Sequence, residues 1–131
     1  MRLKVLGLIG ATVAAGLAVT VAVPGGVGDA LRDALYTVAW YLALLLAAPR
    51  TRPAVAAAVA AGISWAVELF QLTGVPAAHP GWRLLLGTGF NAPDLLWYAL
   101  GAAACAAAHT AALRRAQGRT ATLPRTLPSS R

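Results

Sequence analysis

Charge is what this sequence has least of. Only 11% of its 131 residues are charged, eleven of them Lys or Arg and four Asp or Glu. A soluble domain carries about a quarter, so an ordinary globular chain is excluded. Cysteine is limited to Cys105, inside an apolar run, which excludes an intramolecular disulfide and any Cys-based metal site. The two histidines, His79 and His109, fall in an outer loop and within the last apolar run, without ligand spacing. No metal and no cofactor is expected. The net charge of +7 does not point to nucleic acid either. The basic residues sit at the ends of apolar runs, not on the interleaved surface that a nucleic-acid footprint needs.

What is there is hydrophobic sequence, 59% of the chain, with a mean hydropathy of +0.67. Four apolar runs organise it, over residues 5–23, 29–48, 53–75 and 93–113. Each is long enough as a helix, at ~1.5 Å per residue, to cross a hydrocarbon layer of ~30 Å. The expected fold is all-α: an integral membrane four-helix bundle over residues 1–113, with an outward-facing interfacial or re-entrant loop between helices 3 and 4. Asp29 reads as the N-cap of the second helix and Pro53 as the first turn of the third. The opening residues also have the form of a signal peptide, but the apolar run exceeds the ~7–15 residues of a signal core.

The basic residues set the orientation. Arg2 and Lys4, Arg50 and Arg52, and Arg114, Arg115, Arg119, Arg125 and Arg131 all fall on one side, against Arg32 and Arg83 on the other. Both termini are therefore expected in the cytoplasm of a multi-pass cell-membrane protein. Residues 114–131 read as a disordered basic tail. Ala58 with Gly62, and Gly101 with Cys105, have the four-residue spacing that lets helices approach closely in lipid.

One acidic residue breaks the third run. In "SWAVELFQLTGVP", residues 64–76, helical periodicity puts Ala57, Ala61, Ser64, Glu68, Gln71 and Val75 on one face. An expected helix end at Val75 places Glu68 ~10 Å deep. A carboxylate there must pair, hydrogen-bond or carry a proton. Its expected partners come from "GWRLLLGTGFNAPD": Arg83 as an ion pair, with Asn91 and Asp94 nearby. Asn91 and Asp94 also read as the N-cap and third residue of the last helix. Tyr36, Phe70, Trp82, Phe90, Trp97 and Tyr98 map to this side, like half of an aromatic belt.

The stretches "ELFQLTGVP", "WRLLLGTGF" and "DLLWYALGAA" resemble the bacterial membrane family labelled domain of unknown function 2809, over about residues 30–112. The resemblance implies the same architecture and marks Glu68, Gln71, Arg83, Gly87, Gly89, Phe90, Asp94, Tyr98 and Gly101. More distantly, the Glu-x-x-Gln, Arg, Asp order is similar to VanZ-like proteins, although Asn is absent four residues after Asp94. Neither resemblance supplies a reaction.

Three functions compete on this reading. The first is an outer polar cluster of Glu68, Gln71, Arg83, Asn91 and Asp94 that binds a small envelope or lipid-linked ligand. The second is an assembly partner of another membrane protein or of a second copy. The third is a proton-coupled transporter, which the lack of inner acidic residues disfavours. An enzyme is disfavoured because Ser64 and His109, at depths of ~16 and ~22 Å, are not level enough to form a catalytic pair.

Overall fold

The computed structural model describes residues 1–86 and 89–121. It is an all-α bundle in which α1 (Arg2–Ala22), α2 (Gly26–Ala47), α3 (Pro53–Gln71) and α6 (Ala92–Ala121) are each long and apolar enough to cross a bilayer. Two short helices, α4 (Val75–Ala78) and α5 (Pro80–Leu86), link α3 to α6. The segment expected as an interfacial or re-entrant loop is thus partly helical. Gly87, one of the marked positions, lies outside the described residues.

The helix ends differ from expectation where local chemistry intervenes. α2 starts at Gly26 and not at Asp29, because the chain already turns at Gly25, which serves as N-cap with a φ of 83°. Asp29 instead sits in the first turn, and its backbone N–H donates to the Gly25 carbonyl over 3.0 Å. α3 ends at Gln71, four residues before the expected Val75. Thr73 Oγ1 donates to the Phe70 carbonyl, and Gly74 adopts a left-handed φ of 72° that favours glycine. Glu68 therefore lies within a turn of the helix end, not two turns inside it. At the other end of the chain, α6 runs eight residues past Leu113, into the segment expected as a disordered tail. Arg114, Arg115, Ala116, Gln117 and Arg119, good helix formers, outnumber Gly118 and Thr120 in that stretch.

Three helices make the core. α2, α3 and α6 pack on one another, whereas α1 packs on α2 alone among the described residues. Tyr41 and Leu45 of α2 meet Ala56 and Ala60 of α3, with Cys105 and Ala106 of α6 against them. The close contact of α2 and α6 depends on Gly101, where an added Cβ would lie 2.6 Å from the Ala34 carbonyl oxygen. The expected small-residue pair in α6 is therefore at an interface. The pair in α3 is not: Ala58 and Gly62 are exposed, and Ala56 and Ala60 take that role. The buried face is Ala56, Ala60, Ser64 and Glu68, a strict four-residue step.

Elsewhere large apolar side chains point outward, among them Leu8, Leu17, Val55, Leu69 and Leu100. In water such a surface is an aggregation liability. In a bilayer it is solvated by lipid tails as apolar as itself.

Candidate functional site

The polar side chains inside the bundle form a seam where α2, α3 and α6 meet, and it begins at the end where α3 stops and α6 starts. Glu68 is 1% exposed, and both of its carboxylate oxygens are engaged. Oε1 accepts from the Asn91 backbone N–H at 2.5 Å. Oε2 accepts from the Tyr98 hydroxyl at 3.1 Å. The short α6 entry makes this possible: Asn91 directly precedes the helix, so its N–H is free of an intrahelical partner.

Asp33 of α2, which sequence reasoning missed, completes the cluster. Its carboxyl meets that of Asp94 at hydrogen-bonding distance, and the charge of Glu68 acts on it. All three carboxyl groups act electrostatically on Tyr98. Asp33 Oδ2 is buried and receives no donor among the described residues. A signal was available in the sequence: Asp33, Thr37 and Tyr41 recur every four residues along α2 and so share one helix face.

Several expected partners behave differently. Arg83 is exposed on α5 and does not reach Glu68; among the described residues the one ion pair joins Arg32 to Asp29. Glu68 faces the bundle interior toward α6, so its neutral donors replace the expected cation. Asn91 flanks α6 as expected, and the Asp94 backbone N–H donates to its carbonyl over 3.0 Å. Its side chain does not cap the helix, however, because Nδ2 donates to Asp94 Oδ1 at 2.5 Å. Gln71 bridges toward α5, donating through Nε2 to the Leu86 carbonyl, while its Oε1 is buried without a donor among the described residues. Gly89 and Phe90 are exposed. Tyr98 and Gly101 are buried on α6, one at the cluster and the other at the α2 crossing.

Away from this end, the seam continues through neutral groups. Thr37 and Ser64, both fully buried, share a hydrogen bond of 2.9 Å, and Ser64 reaches the Ala60 carbonyl at 3.0 Å. Beyond them, the Tyr41 hydroxyl and His109 Nδ1 are 2.9 Å apart. Ser64 and His109 thus have separate partners. No group of three or more His, Cys, Asp or Glu among the described residues is arranged to hold a metal.

A groove of about 790 Å³ lies between α2 and α6, lined by Ala30, Ala34, Val38, Trp97, Leu100 and Ala104. It is apolar and lies on a face of α2 other than the one that carries Asp33 and Thr37.

Fold and site together define a multi-pass α-helical membrane protein with a partly buried acid cluster at one end of a three-helix core. The chain belongs to the family described as "Protein of unknown function (DUF2809)", whose model matches residues 22–102. That match begins at the last residue of α1 and ends just after Gly101, so it contains every member of the acid cluster. Neither the curated proteins nor the solved structures give a match.

Proposed function

We propose that the acid cluster is a binding site for a small cationic ligand, opening to the outer face of the membrane, with a proton as its resting occupant. One observation carries this reading. Three of the chain's four acidic residues, Asp33, Glu68 and Asp94, converge, and the one basic residue whose charge acts on Asp33, Arg32, is ion-paired to Asp29 outside the cluster. Ionised carboxylates only accept hydrogen bonds. Two carboxyl groups at hydrogen-bonding distance are therefore held together by a proton or a cation between them. Uncompensated negative charge at this depth costs several kcal/mol on most scales, and the unpartnered Asp33 Oδ2 marks where a donor or cation is accepted. Asp33 and Asp94 keep part of their surface accessible, whereas Glu68, with both oxygens occupied, shapes the site from beneath.

The orientation follows from the distribution of positive charge. Antiparallel packing gathers Arg2, Lys4, Arg50, Arg52, Arg114, Arg115 and Arg119 at the end opposite the cluster. The positive-inside rule assigns that end, with both termini, to the cytoplasm. A ligand carrying an amine would then approach from the envelope side. An anionic ligand is disfavoured, since Arg83 does not reach the cluster.

The test is infrared spectroscopy of the protein in lipid nanodiscs at neutral pH. A carbonyl band of a protonated carboxyl group is expected, lost in Asp33→Asn and weakened by added methylammonium. Absence of the band from the wild type would overturn the reading.

A further inference from the structure

The cluster, the Thr37–Ser64 pair and the Tyr41–His109 pair all lie along one line, and nothing in the ligand-binding reading requires the last two. From α2 come Asp33, Thr37 and Tyr41 at four-residue intervals. From α3 come Ser64 and Glu68 at the same interval. From α6 come Asp94, Tyr98 and His109. Successive members on α2 and on α3, and Asp94 with Tyr98 on α6, are thus one turn, or ~5–6 Å, apart. Tyr98 and His109 are eleven residues, or ~16 Å, apart, so that the line between them runs through α2 and α3. A single water molecule bridges a one-turn gap between two polar groups. The hydroxyls of Thr37, Ser64, Tyr41 and Tyr98 can each accept one proton and donate another, which is what a relay needs.

His109 gives the line a second proton-accepting end. It lies three residues short of Ala112 and close to the basic residues Arg114 and Arg115. Tyr41 of α2 is its hydrogen-bond partner. Cys105, one turn earlier on α6, lies close to Tyr41, and α3 contributes only Ala56, Ala57 and Ala60 to that layer. No acidic residue is present there. The imidazole is the side chain best suited to take up and release protons near neutral pH.

We propose that this seam conducts protons across the bilayer, between the Asp33–Asp94 pair at one end and His109 at the other. A proton entering at the carboxyl pair displaces one toward Tyr98 and Glu68. It then passes through the Thr37 and Ser64 hydroxyls to Tyr41, and leaves from His109 on the opposite side. Each hop forms one O–H or N–H bond and breaks one, so that no co-reactant is consumed. The proposal rests on the outer cluster holding a proton. It goes further in making that proton exchangeable with the far side of the membrane.

The experiment is proton flux into vesicles of phosphatidylcholine and phosphatidylglycerol reconstituted with the full chain. A valinomycin-clamped potassium gradient drives the flux, and an enclosed pH-sensitive dye reads it. Wild-type vesicles are expected to acidify faster than protein-free ones. Thr37→Val, Tyr41→Phe and His109→Phe should each return the rate to the protein-free level, whereas His79→Ala should not change it. Thermal melting in detergent is run alongside, and Tyr41→Phe, which removes a single oxygen, is the variant least able to unfold the bundle. If the infrared carboxyl band is present but wild-type flux equals that of protein-free vesicles, the conduction proposal is overturned and the cluster reading stands. Flux without the band overturns the resting proton, and with it the entry point that this proposal gives the seam at the carboxyl pair. Loss of both overturns both. Flux that survives all three seam substitutions in folded protein shows that the seam is interhelical glue.

Discussion

The most apolar helix in this protein is the least buried. α1 has a single buried residue, Val5, and among the described residues packs on α2 alone. The three less apolar helices enclose the polar side chains that are buried among the described residues: Thr37, Ser64 and Glu68. The difference teaches how a bilayer reverses the usual relation between hydrophobicity and burial. Lipid tails solvate an apolar helix as well as another helix would, so α1 gains little by going inside. A polar side chain has no such alternative and must find partners within protein. The family match respects this division, since it begins where α1 ends.

The comparison can be broken most severely at Gly101. In Gly101→Val the new Cβ would meet the Ala34 carbonyl oxygen at 2.6 Å. Overpacking against backbone should cost at least the upper part of the ~1–3 kcal/mol range. Gly10→Val in α1, where nothing lies within 4 Å, should leave the melting temperature within error. A thermal melt in one detergent compares the two directly, and equal losses would show that α1 packs more tightly than described.

A smaller loss is expected from Tyr98→Phe. It removes the hydroxyl from a carboxylate oxygen that is almost fully buried, leaving an unmet acceptor worth about 1–3 kcal/mol. Denaturation by titrated dodecyl sulfate would measure it. No change would mean that Glu68 has another donor. Thr37→Val comes next, at about 0.6–2 kcal/mol, the range found for hydrogen bonds between membrane helices. The same titration reads it, and combining it with Ser64→Ala should add little beyond the first loss if the two hydroxyls serve each other.

The smallest effect sharpens the contrast from the other side. Thr12→Val in α1 removes a bond from Thr12 Oγ1 to the Leu8 carbonyl. This bond lies on an exposed face and within the helix's own backbone ladder. Its loss should fall within about 0.5 kcal/mol. A drop as large as that of Thr37→Val would show that α1 has a partner beyond α2.

Much of the cluster was legible before any tertiary structure, but its wiring was not. Periodicity alone put Glu68 on a face with Ser64 and turned it inward. The capping pattern placed Asn91 and Asp94 beside one another at the start of α6. What periodicity suggested wrongly was the partner: a basic residue nearby in sequence, Arg83, looked like the natural counter-ion. The backbone N–H of Asn91 and the hydroxyl of Tyr98 took that place. A free N–H at a helix start is visible only once the helix start is known. Asp33 carries no mark of its own in the sequence, since its neighbour across the bundle, Asp94, lies on a helix that only the fold brings beside it.

By itself, the sequence determined the number of membrane-length apolar helices and their order along the chain. Those follow from local hydropathy measured against a fixed bilayer thickness. Only the tertiary structure decided which helix faces meet. Helical periodicity fixes the angle at which a side chain leaves its own axis and says nothing about what lies opposite. It was the close crossing of α2 and α6 at Gly101 that brought Asp33 against Asp94, and Tyr41 against His109.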